Sequence, residues 1–176
     1  MKDTYSKLKN SRNADDVCCA LGTVEELCFS LQDSGNIVHL EPIERINYES
    51  SIDYDKNWIK TKITLKGGVF FGQYVADIMT IDFERFKQEL YVLYDKLDGK
   101  ATFADLENAL KVEIQGNGIG HFEVKVTAHD KPSFGANLNF TMCFDQTCIK
   151  LLVHQLDEIT KRFPIIGDFN IKNESI

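Results

Sequence analysis

The sequence predicts an α+β fold: a two-layer sandwich with a mainly antiparallel sheet of about six to seven strands and two long amphipathic helices on one face. Three observations lead there. Apolar side chains alternate with polar ones at period two, as where Ile59, Thr61, Ile63 and Leu65 interleave with Lys60, Lys62, Thr64 and Lys66. Consecutive strands are separated by turns as short as Gly67-Gly68, which forces antiparallel pairing. Two later stretches switch to three- and four-residue steps: Phe83, Phe86, Leu90, Leu93, Leu97, and Ile149, Leu152, Leu156, Ile159, Phe163.

The elements follow in order. Residues 1–22 are polar, with Lys2, Lys7, Lys9 and Arg12 at the start, and are read as an N-terminal arm; 23–176 are read as a single α+β domain. Val24–Leu31 and Ile37–Ile46 are short strands around the turn residues Asp33-Ser34-Gly35-Asn36. A polar, Ser- and acid-rich stretch from Asn47 to Asn57 precedes the strand that Trp58 opens, and Trp58 is expected to seal one end of the core. The strand Val69–Met79 carries apolar groups on both faces, Phe70, Tyr74 and Ile78 against Phe71 and Val75. It is therefore expected to be covered on both sides, with the N-terminal segment as the second cover. Thr80 is the expected cap of the first helix, Asp82 complements its dipole, and Gly99 stops it. Three strands follow, centred on Leu110–Ile114, Phe122–Ala128 and Leu138–Phe144. Asp145 caps the second helix, which Pro164 ends. A strand pair followed by a helix thus occurs twice.

Composition excludes several function classes. Of 176 residues, 43% are hydrophobic and 27% charged, which is an ordinary globular balance. No apolar run reaches the length of a membrane helix, so no membrane partner is expected. The net charge of −7 argues against a nucleic-acid surface and favours a basic partner. Five cysteines without a Cys-x-x-Cys pair are expected to be free thiols, and cytoplasmic localisation is expected with them.

Motifs for chemistry fail one by one. Asp53-Tyr54-Asp55-Lys56-Asn57 opens like a calcium loop, but Trp58 stands where Gly is needed and Thr64 where Glu is needed. Gly116-Asn117-Gly118-Ile119-Gly120 precedes a strand rather than a helix, so it is a hairpin loop and not a phosphate cradle. His154 and Glu158 share a helix face without a second His. The reading is accordingly no enzyme, no metal and no cofactor. The densest acidic segment, 41–55, sets Glu41, Glu44, Glu49, Asp53 and Asp55 against Arg45 alone and is the candidate partner-binding surface.

Several segments resemble the WapI-type immunity proteins of bacterial polymorphic and wall-associated toxin systems. Asp53-Tyr54-Asp55-Lys56-Asn57-Trp58-Ile59 is similar to the family's Asp-Tyr-Asp-x-Asn-Trp-Leu strand entry. Asp82-Phe83-Glu84-Arg85-Phe86 and Leu93–Ala101 continue the match. Gly120-His121-Phe122-Glu123-Val124 resembles Gly-His-Ile-x-Val. Leu138-Asn139-Phe140 and Asp145-Gln146-Thr147 complete the likeness, the last resembling Asp-Gln-Thr-Tyr-Leu with Cys148 in place of the aromatic. The likeness spans roughly residues 25–165. It implies a non-enzymatic, cytoplasmic protein that binds and neutralises a cognate toxin domain; the oligomeric state stays open. The second reading is a small-ligand-binding or hydrolytic domain with a pocket between the sheet and the N-terminal segment.

Overall fold

The computed structural model describes residues 27–131 and 134–169. Strands β1 (Phe29–Asp33), β2 (Asn36–Arg45), β3 (Trp58–Gly67) and β4 (Phe70–Met79) form an antiparallel sheet in that order and lead into helix α1 (Thr80–Lys96). Strands β5 (Asp98–Ala104), β6 (Leu110–Asn117), β7 (His121–His129) and β8 (Asn137–Asp145) form a second antiparallel sheet and lead into α2 (Gln146–Arg162). The α+β class holds, but one sheet of six or seven strands is corrected to two sheets of four. The division lies at α1: β4 runs into it without a linker, and the strand that returns from it pairs with β6 rather than β4. That returning strand, β5, escaped the sequence reading because only Ala101 and Phe103 turn inward from it, too few to register a period. The arm at 1–22 lies outside the described residues.

The two halves exchange helices. Helix α1 follows the first sheet but packs on β5, and α2 follows the second but packs on β1. The same helical position does the same work in each half. Glu89, the tenth residue of α1, accepts a hydrogen bond from the Thr102 backbone N–H at 2.7 Å. Gln155, the tenth residue of α2, accepts one from the Ser30 N–H at 3.0 Å. Each helix thereby satisfies part of the open edge of the strand it covers.

Phenylalanine rings join the halves. Phe86 of α1 lies between Phe29 of β1 and Phe103 of β5, with ring centroids 5.6 Å away on both sides, and Phe83 is 5.5 Å from Phe103. All four rings are at most 1% exposed. Such pairs contribute about 0.5–1.5 kcal/mol each beyond area burial.

Helix ends show where local rules were displaced. Thr80 does not cap α1: Met79 holds the cap position, and its N–H donates to Asp82 Oδ2 at 3.3 Å. The Thr80 hydroxyl instead donates to the Asn57 carbonyl at 3.2 Å, tying the start of α1 to the entry of β3. Leu97, in the left-handed region at φ 57°, ends α1 before Gly99 is reached. The next strand pair closes tightly over that end, and a Cβ at Gly116 would stand 2.4 Å from the Leu97 carbonyl oxygen. Helix α2 begins as expected, with the Asp145 carboxylate accepting from the Thr147 N–H at 2.8 Å.

Three side-chain expectations change. Trp58 is only half-buried, and the fully buried residue beside it is Asn57. Strand β4 is not covered on both faces: Phe70, Phe71 and Val75 are 66%, 67% and 52% exposed. Cys148 is buried and disulfide-bonded, so the expectation of free thiols fails at that position.

Two predictions follow from this packing. Gly116→Ala sets a methyl group against backbone that no rotamer change can clear, and should cost about 1–3 kcal/mol, read as a lower urea midpoint at unchanged m-value. Burial raises the Asp82 carboxyl from 3.8 to about 7, against the opposing pull of the Met79 N–H and Arg85. Its folded pKa lies above the unfolded one, so the protein binds the extra proton in the folded state between those values. Stability from this group is full at low pH and falls as pH rises from about 4 through 7. Asp82→Asn keeps the acceptor without the charge. It should match wild type near pH 4 and exceed it by about 1–3 kcal/mol near pH 8 in urea titrations, and an equal difference at both pH values would contradict the assignment.

Candidate functional site

The segment 41–55 begins on β2 with a break in alternation. Val38, Leu40 and Pro42 point into the core, so strict period two would bury Glu44 next. A bulge between Pro42 and Glu44 inserts Ile43, and both Ile43 and Glu44 turn outward. Glu44 then lies opposite Lys60 at 3.5 Å, while Glu41 binds Lys62 at 2.7 Å across the same strand pair.

Beyond β2 the chain is fixed from beneath by two side chains. Arg45 donates through Nη1 to the Lys56 carbonyl and through Nη2 to the Pro164 carbonyl, both at 2.5 Å. Asn57 is 0% exposed, and its amide is fully used. Nδ2 donates to the carbonyls of Asp53 and Ile166 at 2.8 and 2.9 Å, and Oδ1 accepts from the Ile166 N–H at 2.9 Å. A buried amide with its donors and acceptor satisfied is rigid, because any shift leaves a polar group unpaired at a cost of about 1–3 kcal/mol. The short 3-10 turn Asp55–Asn57 is thus clamped to the segment after α2, and Tyr54 packs on Phe169 at 6.1 Å between centroids.

The five carboxylates chosen from sequence do not form one cluster. Glu41 and Glu44 stand on the solvent face of the first sheet, while Glu49, Asp53 and Asp55 belong to the connection to β3. Lysines offset several of them: Lys62 on Glu41, Lys60 on Glu44, and Lys56 on Asp53 at 2.9 Å. Asp55 accepts from the Ser50 hydroxyl at 3.2 Å, and Glu49 is exposed. These surface pairs add little stability, about 0–1 kcal/mol each, and leave a surface of mixed sign rather than a uniformly acidic one.

Four apolar side chains in the same segment were not among the surface groups chosen from sequence. Ile43, Tyr48, Ile52 and Tyr54 are 48%, 68%, 58% and 41% exposed. Their signal was present as large apolar residues interleaved with carboxylates, without the alternation or helical step that marks a core face. Large apolar groups are thus exposed beside carboxylates in one segment of the chain.

A concavity lies between α1 and α2, about 730 Å³ in volume, with Lys87, Tyr91, Tyr94, Lys150 and His154 among its lining. Lys87 is engaged there by Glu84 at 2.8 Å, Asp157 at 3.6 Å and the Thr160 hydroxyl at 2.9 Å, so its ammonium is fixed rather than presented. Among the described residues no group of three or more His, Cys, Asp or Glu side chains is placed to hold a metal ion. Nor is any described helix long and apolar enough to cross a membrane.

No curated protein matches the chain. Among solved structures, the chain is similar to Trypanosoma bruciei MRP1/MRP2, with TM-score 0.44, 12% identity, and coverage of 78% of this chain and 86% of that one. It is also similar to the plant transcriptional regulator PBF-2, with TM-score 0.41, 11% identity, and coverage of 77% and 80%. The immunity protein WapI-like family matches residues 28–164, a span that takes in the eight strands and two α-helices of the described residues, and the chain belongs to that family.

Proposed function

We propose that the protein is a non-enzymatic immunity protein that binds a cognate bacterial toxin domain in the cytoplasm and neutralises it by occupying its surface. Family membership supports a protein partner. The observation that carries the reading is the clamped segment 43–55, where Tyr48 and Ile52 stand exposed among Glu49, Asp53 and Asp55. Aromatic and aliphatic anchors on a backbone already ordered lose little entropy on binding, which is what tight inhibition requires. Carboxylates around them favour a basic toxin face and hasten encounter. Glu41 and Glu44, paired to lysines, belong to the rim of this surface.

Co-expression with a candidate toxin domain from an adjacent reading frame tests the reading, with growth rescue as the readout. In the purified pair, Tyr48→Ala and Ile52→Ala should each weaken binding at least about tenfold through faster dissociation, at unchanged melting temperature. Affinity equal to wild type in both would remove the segment from the interface. Neutralising Glu41, Glu44, Glu49, Asp53 and Asp55 together should act differently, slowing association and flattening its dependence on ionic strength. Association rates that match wild type at every salt concentration would assign the toxin to another face.

A further inference from the structure

The two sheets have four edges, and three are served by side chains from elsewhere. Gln155 accepts from Ser30 on β1, Glu89 from Thr102 on β5, and Asp33 Oδ2 from the Cys143 N–H on β8 at 3.0 Å. Strand β4 is the fourth. It pairs with β3 along its whole length, and among the described residues no other strand pairs with it. Ten residues long, it holds neither Pro nor Lys, and its one charge is Asp77 near the far end. Val69, Phe70, Phe71 and Val75 are 92%, 66%, 67% and 52% exposed at this edge. A long, nearly uncharged edge strand rimmed by exposed aromatics is a pairing template that soluble proteins normally blunt.

We infer that β4 pairs antiparallel with β4 of a second copy of this chain, about a two-fold axis at Gln73, joining two four-stranded sheets into one of eight. The residues fit that register. Phe71 and Val75 face solvent on the same side of the strand, and the axis sets each opposite the other in the partner copy, an aromatic against a β-branched residue. Asp77 falls opposite Val69, so the strand's single carboxylate meets no like charge. An isologous contact needs such self-complementarity, and a register that brought Asp77 to its own mate would repel. The pairing leaves Tyr48 and Ile52 outside the contact strand, and it does not depend on the toxin reading.

Sedimentation analysis of the full chain at about 100 µM should give a mass about twice 20.1 kDa. Phe71→Lys should reduce this to a monomer, and so should Val75→Glu. The double variant Phe71→Lys, Val75→Glu should restore the dimer, because each lysine then faces a glutamate across the axis. Melting temperatures near that of wild type show that the single variants fold. A monomeric wild type would overturn the inference, as would a dimer that survives both single substitutions or a double variant that stays monomeric. Should a monomeric wild type lose toxin binding on Phe71→Lys, the edge belongs to the toxin instead.

Discussion

Phe86 is the residue on which the architecture turns. Its ring lies between Phe29 on the first sheet and Phe103 on the second, and with Phe83 it builds an aromatic spine that neither sheet could complete alone. Each four-stranded sheet has one apolar face and would need its own cover. Here the cover is traded, since α1 leaves the first sheet to lie on β5 and α2 returns from the second to lie on β1. Two half-structures that could each have been a small sheet-and-helix unit become one core. The equivalent placement of Glu89 and Gln155 shows that the exchange extends to backbone hydrogen bonding at the covered edges.

Polar burial does for the β2–β3 connection what the phenylalanines do for the core. Asn57 and Arg45 reach the backbone on both sides of the connection and the segment after α2, residues more than a hundred positions away in sequence. Asn57 also presents its carbonyl to Thr80, so the same site fixes the first turn of α1. A hydrophobic residue at position 57 could fill the space but could not set the connection's conformation, because the hydrogen bonds specify geometry where apolar contact only favours proximity. The exposed segment is thus held in place by one buried amide and one guanidinium.

The surface is organised by the same economy of edges and charges. Cross-strand Lys–Glu pairs such as Lys62–Glu41 cover the open face of the first sheet, and Lys100 and Lys111 converge on Glu113 in the second, holding its carboxyl below the usual range through hydrogen bonds to both. Such pairs keep an exposed sheet face soluble without contributing much stability. Against that background the places where apolar groups face outward stand out: Tyr48 and Ile52 on the clamped connection, and Phe70, Phe71 and Val75 on β4. The first of these surfaces is the one we propose for the toxin, and the second the one we propose for another copy of this chain.

Much of this protein was legible in the chain itself. Period-two alternation marked β3, β6, β7 and β8, helical steps marked α1 and α2, and Asp145 marked the start of α2, because each of these depends on residues within a few positions. The family likeness was legible for the same reason, as short motifs in a fixed order. What tertiary structure alone decided depends on distant groups. The division into two sheets hangs on which strand β5 pairs with, and its two inward residues are too weak a pattern to say. Thr80 has the chemistry of a helix cap but was claimed by the Asn57 carbonyl, so local propensity lost to a long-range hydrogen bond. The acidic segment was visible as composition. Its lysine partners, its bulge at Ile43 and its clamp by Asn57 were not, since each is a contact between residues that sequence spacing does not bring together. Local periodicity determined the elements; the burial of apolar faces and polar groups against remote partners decided how they assemble.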